Sequence, residues 1–312
     1  LFDIIIYYNC IFDIIIISDM NAKMKVIILN YNESYENNSK DWPIYKENSA
    51  EWLKEKSLLY DREVTCPVCG NIFKAKSIKT SSYRILKKDS DLFIRYSVIN
   101  PYFYDVWVCN ECGYAAMKRD FNKIRSFQIN SVKEKITPTW IPKVYPEVYN
   151  IDIAIERFKL SLLNYVVIES PYSKKGFNSL KLAWMYRLKD DYEKEKLFLN
   201  EALESLKEAY SSEDFPIYGM DRYTAMYLIA ELMRKAGNTE ESLRWFSNVI
   251  TCPGISSRLK NLARDQKDLI KEEINEIDFT PIDPTPMEID EIDNTKPQKG
   301  FLSRFLNKIK IL

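Results

Sequence analysis

Histidine is absent from this sequence. With it go imidazole general bases, Ser–His–Asp triads and every His-ligated metal site. Glycine is scarce, 7 residues in 312, where an average chain has about 7%. A phosphate-cradling P-loop or a G-x-G-x-x-G turn needs clustered glycines, and the sequence has no such cluster. Net charge is missing too: Lys plus Arg and Asp plus Glu each number 45. No global field draws the chain to nucleic acid or to an anionic membrane. These absences set aside much catalytic chemistry, so the expectation is a protein that is not an enzyme and has no evident small-molecule substrate. What remains is 46% hydrophobic and 29% charged, enough to bury a core in each of about two domains.

Six cysteines carry the strongest pattern. Four form two matching runs, Cys66-Pro-Val-Cys69-Gly70 and Cys109-Asn-Glu-Cys112-Gly113. A C-x-x-C turn sets two thiolates on one side of a tight loop, and two such loops face to face make a tetrahedral sulfur site suited to Zn²⁺. Two of the seven glycines follow directly after the second cysteine of each pair, where a left-handed backbone turns amides toward sulfur. Iron in the same S₄ geometry is an alternative to zinc. Disulfides would need an oxidising compartment, and a thioredoxin-type pair would need one C-x-x-C in a βαβ setting. Four thiolates leave no open position, so the metal is expected to be structural. Between the pairs lie 39 residues, room for an inserted β unit. Cys10 and Cys252 have no partner spacing and read as incidental thiols.

The fold class expected is α+β: a small zinc-ribbon-like β unit plus an α-helical, tetratricopeptide-like repeat domain. Residues 1–58 read as an N-terminal extension. Its Ile-rich first part, 1–19, reads as a start-site artefact ahead of Met20 or Met24. Residues 59–127 read as the zinc-ribbon-like domain, with short β-prone runs. Their stretch Asp61 to Arg125 has twelve basic and seven acidic residues with interleaved aromatics. That makes a nucleic-acid-binding ribbon the alternative function. Asp89 and Asp91, near Arg84 and Arg95, could form a catalytic carboxylate cluster, or simply a charged turn between strands. Residues 128–149, with Pro138, Pro142 and Pro146, read as an extended linker.

From residue 150 to 276 the period becomes helical. Leu182-Ala183-x-x-Tyr186 followed by Lys189-Asp190-Asp191 is matched by Ile229-Ala230-x-x-Met233 followed by Ala236-Gly237-Asn238, an offset of 47 residues from Asp190 to Gly237. Tetratricopeptide repeats have a period of about 34, and the loop at 211–220 accounts for the excess. Residues 277–295 read as an acidic disordered linker. Residues 296–312 read as a basic amphipathic tail helix, whose 301–312 face suits a partner groove, its own repeat domain or weak contact with a membrane surface.

The stretch Leu59-Tyr-Asp-Arg-Glu-Val-Thr-Cys-Pro-Val-Cys-Gly70 resembles the opening of a bacterial family known only as domain of unknown function 2225. The resemblance continues through Lys88-Asp-Ser-Asp91, Asn100-Pro-x-x-Tyr-Asp-Val-Trp-Val-Cys109 and Cys112-Gly-Tyr-Ala-Ala116. It implies a cytoplasmic bacterial protein in which a cysteine metal site is joined to tetratricopeptide-like helices. Similarity to tetratricopeptide proteins further implies a groove lined by first-helix positions Trp184, Arg187, Tyr227, Arg234 and Lys235. Such a groove would suit an acidic, extended peptide of a protein partner, or the chain's own Ile277–Asp293. The leading expectation is therefore a zinc-stabilised adaptor. Its ribbon is expected to unfold on loss of Cys109 while the helices survive.

Overall fold

A computed structural model describes residues 47–80 and 82–278. The readings of the start site, of Cys10, of the acidic linker beyond 278 and of the tail helix lie outside the described residues. The rest is α+β, and the order of elements follows the sequence pattern. Strand β1 (Leu59–Thr65) pairs antiparallel with β2 (Ile72–Ile78), from Leu59↔Ile78 to Thr65↔Ile72. Strand β3 (Ile85–Lys88) pairs with β4 (Ile94–Tyr96), and β5 (Val106–Val108) pairs with β6 (Ala115–Met117). Each of the three sheets has two strands. The turns of the first and third hairpins carry the two C-x-x-C runs, and the middle hairpin is the insertion that the long spacer calls for.

Eight helices accompany the strands among the described residues: α1 (Ala50–Ser57), α2 (Ser126–Lys135), α3 (Ile151–Val167), α4 (Tyr172–Leu188), α5 (Tyr192–Ser212), α6 (Arg222–Lys235), α7 (Thr239–Thr251) and α8 (Ser257–Asp278). Their starts are written in short polar side chains. Ser49, Asn150, Asp191 and Asp221 each accept a hydrogen bond from a backbone amide of the first turn of α1, α3, α5 and α6, satisfying a donor that the helix cannot. The first helices of the two similar pairs end alike. Asp191 N donates to Tyr186 O at 3.0 Å, and Asn238 N donates to Met233 O at 2.9 Å. Both bonds span a residue of positive φ, Asp190 in one and Gly237 in the other. This is one cap motif used twice, at the same 47-residue offset. Within α4, a Cβ on Gly176 would lie 2.9 Å from Leu206 Cγ, so glycine there lets α5 approach closely.

The ribbon and the helices share a core. One continuous buried cluster runs from Leu59 through Phe93, Trp107 and Met117 to Phe158, Leu182 and Met233. Polar contacts fasten the same seam: Arg157 of α3 donates to Val106 O at 2.5 Å, and Met117 N donates to Tyr165 Oη at 3.1 Å. The expectation of a ribbon that unfolds alone does not match this packing, because β5 and β6 are buried directly against α3. Residues 128–149 also differ from a plain extended linker. Helix α2 runs into the start of the segment, and residues 137–143 strap the second cysteine turn, as described below.

Helix α1 docks through Trp52 and Glu55, both buried and three residues apart on one face. Tyr104 Oη donates to Glu55 Oε1 at 3.2 Å and in turn accepts from Tyr149 N at 3.0 Å. Burial pushes the Glu55 carboxyl up to about 7, and the Tyr104 hydrogen bond only partly offsets it. A carboxyl raised in the folded state contributes most below its unfolded value of 4.5 and loses that contribution as pH climbs through about 7. Glu55→Gln should therefore match the wild type near pH 4 and exceed its stability at pH 8, by up to about 3 kcal/mol. Urea unfolding at the two pH values checks this, and an equal or lower stability of the variant at pH 8 would contradict it.

Candidate metal centre

Two tight turns build the site from the backbone upward. In the first, Gly70 N donates to Cys66 O at 2.9 Å and Cys66 N donates to Asn71 O at 2.8 Å. In the second, Gly113 N donates to Cys109 O at 3.0 Å and Cys109 N donates to Tyr114 O at 2.9 Å. The two turns are the same structure, and both glycines have positive φ, +77° and +74°. The backbone then aims amides at sulfur: those of Val68 and Cys69 at Cys66, and those of Glu111 and Cys112 at Cys109. Such amides stabilise a thiolate in a metal site.

The turns face each other. Cys66 Sγ lies 3.6 Å from Cys112 Sγ, and Cys69 Sγ lies 3.6 Å from Cys109 Sγ. All four sulfurs fall within 4.8 Å of one another. A tetrahedral site with metal–sulfur bonds of about 2.3 Å has sulfurs about 3.8 Å apart, so the donor set and its spacing fit a single metal ion. Cys66, Cys109 and Cys112 are buried and Cys69 is exposed. Thiols this close cannot all ionise unaided. Cys109 is held far below the usual thiol range by hydrogen bonds from Cys112 and Cys66, while the bond to Cys109 pushes Cys66 and Cys112 up. A cation in the centre would take the place of the shared protons.

The second turn is gripped by residues that its sequence neighbourhood does not reveal. Thr137 Oγ1 donates to Cys112 O at 3.0 Å, and Trp140 Nε1 donates to Asn110 O at 2.7 Å. Asn110 Oδ1 accepts from Lys143 N at 2.6 Å, and Asn164 Nδ2 of α3 reaches Gly113 O at 3.3 Å. Trp140 packs so closely that a Cβ on Gly113 would sit 2.8 Å from its ring, whereas Gly70 has open space. A tryptophan among spaced prolines was the available signal. Cys252 stands apart, partly buried, with Sγ against Pro253 O at 3.6 Å.

The five residues expected to line a partner groove do converge, but the space between them is taken. The tip of the β3–β4 hairpin, Asp89-Ser90-Asp91, sits there. Asp91 is fully buried and accepts from Arg187 Nη1 and Nη2 at 3.2 and 2.5 Å and from Trp184 Nε1 at 3.2 Å. Asp89 accepts from Arg95 Nε at 3.1 Å and Arg187 Nη1 at 3.4 Å, and Arg187 Nε donates to Glu195 at 2.7 Å. Tyr227 Oη donates to Ser90 O at 2.9 Å, and Ser90 Oγ donates to the buried Glu231 at 2.6 Å. Glu231 also accepts from Arg234 at 2.9 Å, with Lys235 Nζ at 3.9 Å. Trp184 stacks on Phe93, with ring centroids 5.2 Å apart. The groove is thus corrected: Trp184 and Tyr227 are buried, the cations are engaged, and an acidic segment of the chain itself fills the site.

The same contacts tie Asp89 and Asp91, the carboxylates of the catalytic alternative, into ion pairs with Arg95 and Arg187. Burial would raise the Asp91 carboxyl, but the Arg187 guanidinium outweighs it and holds the group below the usual range. Arg84 is exposed and stands outside the cluster.

These features define a class: a four-cysteine ribbon fused through a shared core to paired helices. The model of a family described as uncharacterized protein conserved in bacteria, domain of unknown function 2225, matches residues 59–270, and the chain belongs to that family. It is also similar to an uncharacterized protein of Borreliella burgdorferi, 24% identical over 168 residues. That match covers 46% of this chain and 57% of the relative, so the chain spans little more than half the relative's length. No solved structure matches.

Two outcomes follow from the geometry. Gly70→Ala should cost about 1–2 kcal/mol through its left-handed backbone alone. Gly113→Ala should cost a further 1–3 kcal/mol or so by overpacking against Trp140. Equal losses in thermal unfolding would contradict the role of the strap. Removing either partner of the buried pair, by Asp91→Asn or Arg187→Met, should cost about 3–5 kcal/mol, and the double variant should lose clearly less than the sum. Strict additivity in a urea double-mutant cycle would show that the two side chains do not act together.

Proposed function

We propose that this chain is a zinc-stabilised, non-catalytic adaptor, cytoplasmic, with tetratricopeptide-like helices that carry a surface for a protein partner. One observation carries the reading: three of the four thiols, those of Cys66, Cys109 and Cys112, sit in the core common to ribbon and helices, and Cys69 closes the set from its surface. A tetrathiolate site fills every position of a tetrahedral ion, leaving no place for substrate or attacking water. Zinc suits that set best, with iron as the competitor of equal geometry. The ion's part is cross-linking, so it acts on the fold and not on a reaction. Several buried or partly buried acids support the same view. Asp91 and Asp89 are bound to arginines, Glu231 to Arg234, and Asp105 to Lys118 and Lys181, arrangements that hold elements together. With the groove filled from within, the partner surface falls elsewhere on the molecule.

The test has two parts. Elemental analysis of the full chain purified without added metal should find one zinc per chain, and four alkylatable thiols should appear in the cluster only after unfolding with chelator. Iron in its place, or both C-x-x-C pairs recovered as disulfides, would overturn the zinc assignment. Affinity capture from a bacterial lysate should retain a defined protein partner. Recovery of none above background, or turnover of a substrate abolished at a single carboxylate, would overturn the adaptor reading.

A further inference from the structure

We propose that the outer edge of β3 is a docking edge for an extended acidic segment of a partner protein, taken up as an added strand. This rests on the adaptor reading and names the surface and the chemistry of the partner.

Strands usually bury at least one face. All four residues of β3 are exposed, Ile85 at 63% and Leu86 at 67% of their full surface. The sheet ends at β3 and β4, so β4 occupies one edge of β3 and no described strand occupies the other. An open edge is a row of amides and carbonyls ready to pair. Two bulky aliphatic side chains stand on it, and the tip of the hairpin is anchored by Asp91. The arm is therefore presented in a fixed geometry, which lowers the ordering cost of docking.

The charge on the arm selects the occupant. Arg84, Lys87 and Lys88 are exposed, and no described acidic side chain pairs with any of them. The nearest acids in sequence, Asp89 and Asp91, are turned inward onto Arg95 and Arg187. Lys87 lies directly across from Arg95. Like charges so placed disfavour the hairpin; Asp89 answers the charge of Arg95, and nothing answers that of Lys87. Lys88 is held below its ordinary pKa by partial burial and by Arg258 of α8, a second pair of cations side by side. A second copy of β3 would bring another Arg84, Lys87 and Lys88 onto the same positively charged edge, so self-pairing is opposed by like charge. An antiparallel strand reading acidic-acidic-aliphatic-aliphatic-acidic would set carboxylates against Lys88, Lys87 and Arg84 and cover Leu86 and Ile85. The irregular pairing between Ile85 and Lys87 breaks the ladder at Leu86, whose side chain is left exposed.

The test uses the full chain and a fluorescein-labelled peptide built around Glu-Glu-Val-Val-Glu in fluorescence anisotropy. Saturable binding is expected, weakened roughly tenfold by the combined Arg84→Glu, Lys87→Glu and Lys88→Glu changes, since three cross-strand charge pairs at about 0.5 kcal/mol each amount to that factor. Lys87→Glu alone should weaken it about twofold with no loss of thermal stability, since Arg95 then faces an opposite charge, which separates docking from folding. The same peptide N-methylated at alternate residues should not bind, because added-strand hydrogen bonds are then lost. Equal binding of a lysine–valine peptide or of the N-methylated peptide would overturn the proposal, as would tighter binding of duplex DNA or indifference to the charge reversals. Should a lysate partner be captured equally by the triple variant, the edge is refuted while the adaptor reading stands. Should no partner be captured by the wild type, the adaptor reading fails whatever the peptide does.

Discussion

Everything in the ribbon depends on four sulfur atoms being held within 4.8 Å of one another. The β1–β2 and β5–β6 hairpins are short, two-stranded and unable to sustain themselves in water. Their turns are brought face to face by the cysteines, and a tetrahedral ion satisfies that geometry as hydrophobic contact between two such small turns cannot. The two hairpins are unequal partners. The second turn is buried, strapped by residues 137–143 and tied to α3 through Asn164, whereas the first exposes Cys69 and leaves open space at Gly70. The second turn is thus the fixed half of the site, and the first is the half that a bound metal would recruit.

A second constraint acts at the other end of the insertion. The β3–β4 hairpin is fastened by its tip, where Asp89, Ser90 and Asp91 are received by side chains of α4 and α6. Ion pairs out of water are expensive unless every donor and acceptor is met. Here the three guanidinium nitrogens of Arg187 are all used, on Asp89, Asp91 and Glu195. The result is a helical groove specific for a short acidic segment, filled in cis. With Asp89 and Asp91 committed at the tip, Arg84, Lys87 and Lys88 of the arm have no acidic partner among the described residues.

Some of this architecture was legible in the sequence, for physical reasons that differ by element. The paired C-x-x-C-G runs were legible because two-residue spacing and a following glycine fix the local backbone whatever surrounds it. The duplicated helix pair was legible because the cap at Asp190 recurs at Gly237 with the same chain geometry. The grip on the second turn was not, since Trp140 and Asn164 reach it from 30 and 51 residues away and nothing in their neighbourhood marks a destination. Of the prolines read as extended chain, Pro138 sits in a short 3-10 helix, Thr137–Thr139, while Pro142 and Pro146 lie in irregular chain; such a chain can be a spacer or a strap, and only the packed indole of Trp140 decides. The groove positions Trp184, Arg187, Tyr227, Arg234 and Lys235 followed from helical period and resemblance. Their occupant, about 100 residues earlier, did not, because an acidic turn between strands reads equally well as solvent-facing.

The central claim is that metal, ribbon and helices form one cooperative unit, with α3 as the element through which the cysteine turns act on the rest. Hydrogen–deuterium exchange of the full chain, compared before and after metal removal by chelation, tests it most directly. The account predicts that protection falls together in β5, β6 and along α3, the helix that carries Arg157, Asn164 and Tyr165. Loss of protection confined to the hairpins, with α3 exchanging as slowly as before, would contradict it.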